Sequence, residues 1–402
     1  MKAAILLLRS GKVEGMKDHG SLYEWSEGNA HLAVENVSYK GVKGAILCYW
    51  NRPVHQVGNP ALDAYLEGLN RVFEEKKSSR FLILYGANDP VHAGGDLKES
   101  LEKLDRTLAM RKEKEQSGAS PREIDQLYDW ADNRLKKGVG LHGMVRRIAQ
   151  HLRVVAVCGG GTRFGGSAEI PLMADYLVGD SRSGMCFSEV MIGLLPGWSG
   201  VARAIVKCGP VNAKYMALTG REVKADNLKM CGIYNETVDV PLAFPKMQKT
   251  ADPKADKALY AEALDRHDEQ TGMRLLPRGL ETAVRPEHEI PVLKHPAQLV
   301  SEAEVAREVD RRMNTQNYSH LWGKTLKEAG EEIAKAGRPL APQSVDALRK
   351  LFESIDPVSF DESAFVKKEM EADARLYRDK KFRQGLAATL EQKVADYREA
   401  SS

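Results

Sequence analysis

Apolar residues along this chain fall into short continuous runs and runs at helical spacing. Residues 31–50, HLAVENVSYKGVKGAILCYW, contain two β-rich runs around a Gly-bearing turn, the pattern of a hairpin. NRPVHQVGNP then breaks the pattern. In ALDAYLEGLNRVFEE, Leu62, Tyr65, Leu66, Leu69, Val72 and Phe73 recur three or four residues apart. That spacing predicts an amphipathic helix, with Asn59 as its N-cap and Pro60 in its first turn. FLILYG and VVAVCG read as buried strands, and YLVGD as a short one. Residues 97–150 between the first two are mostly charged and helical. VARAIVK, PVNAKYMALTG and VKADNLKMCG read as short helices. Strands alternating with helices predict α/β layers joined by crossovers. From about residue 245 the chain becomes charged, helical and Pro-punctuated, so a boundary is expected there. The expected organisation is an N-terminal extension over 1–30, a core over 31–245 with an enlarged helical insertion at 97–150, and a helical C-terminal region over 246–402.

Composition narrows the classes. The formal net charge is only +3 over 402 residues, which gives no reason to expect nucleic acid. The apolar run AAILLL near the N-terminus is too short for a signal-peptide core, and no segment approaches the ~18 apolar residues of a membrane span. Cys48, Cys158, Cys186, Cys208 and Cys231 are scattered and lack Cys-x-x-Cys spacing. Buried free thiols in a reducing cytoplasm are the expectation. The chain shows no dinucleotide fingerprint and no zinc-ligand constellation, so neither a metal nor a separate cofactor is expected.

Three stretches carry candidate chemistry. In FLILYGANDPVHAGGDLKES, a buried strand runs into Gly94-Gly95-Asp96; a glycine pair there makes a tight turn or frees a backbone N–H for a ligand. In VVAVCGGGTRFGGSAEIPLMAD, Gly165-Gly166 precede a helix expected to begin around Ser167 to Glu169, since Pro171 is tolerated in a first turn. The N–H of Gly166 would then stand at a helix start, where the dipole favours negative charge. Close strand–helix packing explains those glycines equally well. In CFSEVMIGLLPGWSG, Glu189 sits among apolar residues, either as the end of a surface turn or as one of a pair with Glu169. Two carboxyl groups in apolar surroundings can divide acid and base roles.

Taken in order and spacing, these pieces resemble the crotonase (enoyl-CoA hydratase/isomerase) superfamily over roughly residues 31–242. The segments that carry the resemblance are NRP (51–53), AGGDLKE (93–99), GGSAEIPLMAD (165–175), SEVMIGLLPG (188–197) and ALTGREVKADNLKMCGIYNETV (217–238). It implies a spiral of ββα repeats, here with a long α-helical C-terminal region, assembled as a homotrimer or a dimer of trimers. It implies an acyl-CoA thioester as substrate, with coenzyme A entering as part of it. Gly95 and Gly166 would donate the oxyanion-hole N–H groups. Glu169 would deprotonate the attacking water, and Glu189 would exchange a proton with the α-carbon. Retention of both acids implies hydration. His92, Ala93, Asp96, Leu97, Arg163 and Trp198 fall at positions expected to border substrate. A fainter echo in LYRDKKFRQGLAATLEQKVADY implies that Phe382 and Lys393 lie near the CoA adenine and 3′-phosphate; an amphipathic helix with Phe382 in its core fits the same residues.

Departures from the family pattern concentrate around the acyl group. His92 replaces an aromatic residue, Ser188 replaces a proline, and Trp198 replaces a small residue. CGGGTRFGG is about two residues longer than usual and carries Arg163. They leave open a hydrolase of a thioester or of a cyclic keto-acyl-CoA, and a non-catalytic CoA-ester-binding scaffold whose C-terminal helices hold a partner.

Overall fold

The computed structural model describes residues 7–247, 252–356 and 359–397. Strand β1 (Met16–Glu27) opens an antiparallel meander with β2 (Ala30–Tyr39) and β3 (Val42–Asn51). Lys40 and Gly41 turn the β2–β3 hairpin, both at positive φ (50° and 82°), which matches the twist of paired strands. The hairpin expected over 31–50 is present. Residues 16–27, expected within an extension, instead form an edge strand. Most of that strand is exposed and its pairing carries two register shifts, so no apolar alternation marks it.

Helix α1 (Asn59–Glu74) buries Leu62, Tyr65, Leu69 and Val72, as their spacing predicts. Gly58 takes the cap position, one residue before the expected Asn59. Then come β4 (Phe81–Gly86), β5 (Val91–His92), α2 (Leu97–Gln116), α3 (Pro121–Asp125) and α4 (Asp129–Ala149). Strands β6 (Arg153–Cys158) and β7 (Thr162–Phe164) lead into helix α5 (Gly166–Leu172), then β8 (Tyr176–Asp180) and β9 (Gly184–Cys186). Helix α6 (Gly200–Thr219) joins the two expected short helices across a break at Gly209, φ 79° and ψ 165°, just before Pro210. Strand β10 (Val223–Lys224), helix α7 (Ala225–Met230) and strand β11 (Glu236–Val238) complete the sheets. The remaining helices are α8 (Pro253–Val284), α9 (Glu302–Met313), α10 (Leu326–Ala336), α11 (Pro342–Glu353), α12 (Glu362–Leu376) and α13 (Lys380–Leu390).

The larger sheet has the order β1-β2-β3-β4-β6-β8-β11 and is parallel from β3 onward. The smaller has the order β10-β9-β7-β5. The pairs β4/β5, β6/β7 and β8/β9 each send their first strand to the large sheet and their second to the small one. This is the ββα spiral that the resemblance implies.

The chain divides into two compact units that are discontinuous in sequence. The first holds the chain up to Gly94, Gly140–Met185 and Val223–Ala297; the second holds Gly95–Val139, Cys186–Glu222 and the chain from Gln298 onward. Helix α8 therefore belongs to the first unit, and the change of composition near residue 245 does not separate the units. Its Leu275, Leu276 and Leu280 join Ile46, Ile83, Val155 and Val178 in that unit's core. Each of those leucines is wholly buried, contributing about 2 kcal/mol. Gly279 lets the helix lie close to the sheet: an added Cβ would stand 2.3 Å from Val157.

Candidate active site

The expected site residues divide between the two units. Gly166, Glu169, His92, Ala93 and Arg163 belong to the first; Gly95, Asp96, Leu97, Glu189, Trp198, Phe382 and Lys393 belong to the second.

In the first unit, β7 is followed by Gly165, whose φ of 51° and ψ of −131° suit glycine and turn the chain into α5. Helix α5 starts at Gly166, one residue before the expected range of Ser167 to Glu169. Its first N–H groups have no partner within the helix by position. Glu169 lies in this first turn, 2% exposed, and its own N–H donates to Gly165 O at 3.0 Å. The turn packs on the loop that follows β5: a Cβ at Gly94 would come within 3.0 Å of Gly166 N, and Ser167 Oγ donates to Ala93 O. Ala93 N in turn donates to Val54 O at 2.6 Å. Strands β5 and β7 place His92 beside Arg163 in register. His92 is buried, and its ring stacks on His55 with centroids 5.0 Å apart. Burial, then the charges of Arg163 and His55, hold its pKa well below the usual histidine value, so its ring is neutral. His55, which sequence patterns did not single out, bonds Asp89 at 2.8 Å and accepts from Asn51 N. Burial opposes ionisation of Asp89, but hydrogen bonds from His55 and Arg52 outweigh it and hold the carboxyl below its usual range.

In the second unit, Gly95 has a steric reason to be glycine: an added Cβ would lie 2.2 Å from Arg134 Nη2. Arg134 itself is 3% exposed, pairs with Glu99 at 3.6 Å and stands 5.7 Å from the Trp198 ring centroid. The charged composition of 97–150 hid it. Its signal is an arginine on the buried stripe of α4, between Ala131 and Gly138. Gly138 makes room for the Trp198 indole, which a Cβ there would meet at 2.2 Å. Asp96 caps α2 by accepting from Glu99 N at 3.0 Å, and Leu97 is the helix's first residue.

Glu189 occupies a short 3₁₀ turn, Ser188–Met191, and is buried. The loop that follows it is held from the far end of the chain. Ala341 N donates to Val190 O at 2.9 Å, and Tyr397 Oη to Met191 O at 2.6 Å. Asp373 accepts from Leu195 N at 3.0 Å, and Glu369, fully buried, accepts from Ala202 N at 3.0 Å. Gly193 lies against the Phe382 backbone, leaving 2.7 Å for a Cβ. Phe382 itself is 1% exposed and meets Tyr377 edge-on at 5.0 Å. Its ring is thus packed into the core on α13, the arrangement expected of an amphipathic helix. Lys393 is exposed and pairs with Glu391 at 2.7 Å.

Among the described residues, no group of three or more His, Cys, Asp or Glu is arranged to hold a metal, and no helix is long and apolar enough to cross a membrane.

The enoyl-CoA hydratase/isomerase family model matches residues 138–257, which include Arg163, Gly166, Glu169, Glu189 and Trp198. A mitochondrial enoyl-CoA hydratase of Pongo abelii is 24% identical over 217 residues, covering 53% of this chain and 64% of that protein. A short-chain-enoyl-CoA hydratase of Clostridioides difficile is 27% identical over 107 residues, covering 27% of this chain and 69% of that one. The chain thus spans about two thirds of the length of these curated relatives. A solved carnitinyl-CoA dehydratase of Mycobacterium thermoresistibile has the same fold, with a TM-score of 0.53 at 15% identity, over 97% of this chain and 94% of that one. Residues 138–257, which hold the glycine-led turn of Glu169, thus match the enoyl-CoA hydratase/isomerase family model, and the paired sheets of the ββα spiral give the chain the fold of that solved structure.

Proposed function

We propose that this protein adds water reversibly to an α,β-unsaturated acyl-CoA thioester. The observation that carries the reading is Glu169: a carboxyl group 2% exposed in the first turn of a helix begun by Gly165-Gly166, within the segment that matches the family. In the proposed reaction Glu169 takes a proton from water as its oxygen bonds the β-carbon. Negative charge passes to the thioester oxygen, which accepts from the N–H groups of Gly95 and Gly166. Glu189 gives a proton to the α-carbon, and one water has been added across the double bond. Assembly as a homotrimer or a dimer of trimers is part of the same proposal.

Incubation with crotonyl-CoA and larger enoyl-CoAs, followed by mass spectrometry, tests it. A product heavier by one water supports hydration. Release of free CoA, or opening of a cyclic keto-acyl group, transfers the site to a hydrolase. Binding of CoA esters with no turnover of any of them supports the scaffold reading.

A further inference from the structure

The first unit holds a half-open cavity of about 60 Å³ beside helix α5. A single water needs ~10–15 Å³ of such space, so the cavity has room for a small polar group with a short stem and none for a nucleotide. Its lining includes Arg163, His92 and His55, the Tyr65 ring, and Ile170 and Pro171 of α5.

Arg163 is the unusual member. It points inward from β7 and is 4% exposed. Its guanidinium donates to Gly159 O at 2.8 Å and has no carboxylate partner among the described residues. Several buried carboxylates of this unit are engaged by other groups: Asp89 by Arg52 at 2.7 Å and by His55, Asp268 by Asn88 at 2.6 Å and 2.9 Å, Glu35 by Arg9 at 2.8 Å and Asp180 by Arg182 at 3.0 Å. A guanidinium keeps its charge and carries five donors, so burying it with one carbonyl acceptor is costly unless an anion completes the site. Next to it, His92 Nε2 is buried and has no hydrogen-bond partner among the described residues. The cavity therefore combines an uncompensated cation with an unused polar atom.

We propose that this cavity is a carboxylate site, in which a small carboxylate accepts from Arg163 and supplies the missing counter-charge. A bidentate carboxylate matches the planar fork of a guanidinium. For the source of that carboxylate the inference rests on the acyl-CoA reading above: the acyl group of the substrate ends in a carboxylate. A free short-chain carboxylate offers the same chemistry, and the experiment separates the two.

Saturated thioesters cannot be hydrated, so their binding is independent of turnover. Titration calorimetry of the full chain with malonyl-CoA, succinyl-CoA and butyryl-CoA is expected to show at least one dicarboxylic ester binding ten-fold or more tighter than butyryl-CoA. In Arg163→Gln that preference should fall below two-fold, with part of it kept in Arg163→Lys. If the three esters bind alike, or none binds, while free succinate binds the wild type and not Arg163→Gln, the site is one for free carboxylates and its link to the acyl group is lost. Butyryl-CoA binding as tightly as both dicarboxylic esters, with no succinate binding, overturns the proposal. The wild-type comparison decides this even if the Arg163 variants do not fold.

Discussion

Glu169 and Glu189 are both buried acids in short helical turns, but their turns are held by different parts of the chain. Apart from the Ser167 bond to Ala93, which reaches back to the loop after β5, the turn of Glu169 closes on its own sequence neighbourhood. Val154 and Asp175, the two ends of that segment, bond each other through Asp175 N to Val154 O at 2.9 Å and Val154 N to Asp175 Oδ2 at 3.1 Å. Within it, Gly165 O accepts from Ala168 N at 2.7 Å and from Glu169 N. The turn of Glu189 depends on residues more than 150 positions later: Ala341, Asp373, Phe382 and Tyr397 hold the loop from Val190 to Leu195. The long C-terminal region thus has a positioning task within its own unit. The first acid should tolerate changes far from it in sequence; the second should not.

The largest expected effects are on chemistry itself. Glu169→Gln and Glu189→Gln each remove a proton-transfer group and should lower kcat for crotonyl-CoA by ~10²–10⁴-fold, with the thermal midpoint little changed. A single variant with wild-type kcat would remove that acid from the mechanism.

Next come the supports. Asp373→Ala strands the buried Leu195 N–H, at about 1–3 kcal/mol, and loosens the loop after Glu189. A misplacement of about 1 Å can cost ~100-fold in rate, so kcat should fall together with the melting temperature of the second unit. Ser167→Ala, beside Glu169, removes one side-chain bond from a turn that its own backbone closes, and should cost less in both readouts. The reverse order of the two variants would break the comparison.

A third effect appears in stability against pH. Burial first, then the charge of Asp89, pushes the Asp268 pKa up to about 7. An unfolded aspartate titrates near ~3.9. The folded state therefore binds this proton more tightly: the stabilisation is complete below about pH 4 and is lost as pH rises through about 7. Asp89, held low, has the opposite sign, and its contribution is lost only in acid. Asp268→Asn should raise the thermal midpoint at pH 8 relative to pH 5, compared with the wild type; an unchanged difference between the two pH values would refute this.

The smallest effect is at Lys393. Its pair with Glu391 is exposed and screened by solvent, so Lys393→Ala should leave the melting curve nearly unchanged. A several-fold rise in KM for crotonyl-CoA without a change in kcat would mark it as a contact for the CoA phosphate; an unchanged KM would make it a surface pair only.

The same contrast explains what was legible in the sequence. Strands β2, β3, β4, β6 and β8 and helix α1 show in apolar periodicity because each buries one face against the sheet core. The Glu169 turn shows because its glycines, helix start and acid are contiguous. Strand β1 leaves no trace because an edge strand pairs through its backbone while its side chains meet water. Arg134 and His55 were hidden because a charged or polar residue on a buried stripe looks like any other until its partners are known. The supports of Glu189 were invisible for a related reason: Glu369 and Asp373 are two acids one turn apart on α12, and only tertiary packing aims them at backbone N–H groups. Phe382 was ambiguous because an aromatic residue on an amphipathic helix fits a cofactor contact and a core position alike; in the fold it is buried.

The central claim is that two acids, one locally and one remotely supported, carry out hydration. The most direct measurement is loss of the ultraviolet absorbance of conjugated crotonyl-CoA in the presence of the wild type and of the Glu169→Gln, Glu189→Gln double variant. The account predicts that the wild type removes the conjugation and yields a product one water heavier, while the folded double variant does neither. Undiminished hydration by the double variant would contradict it.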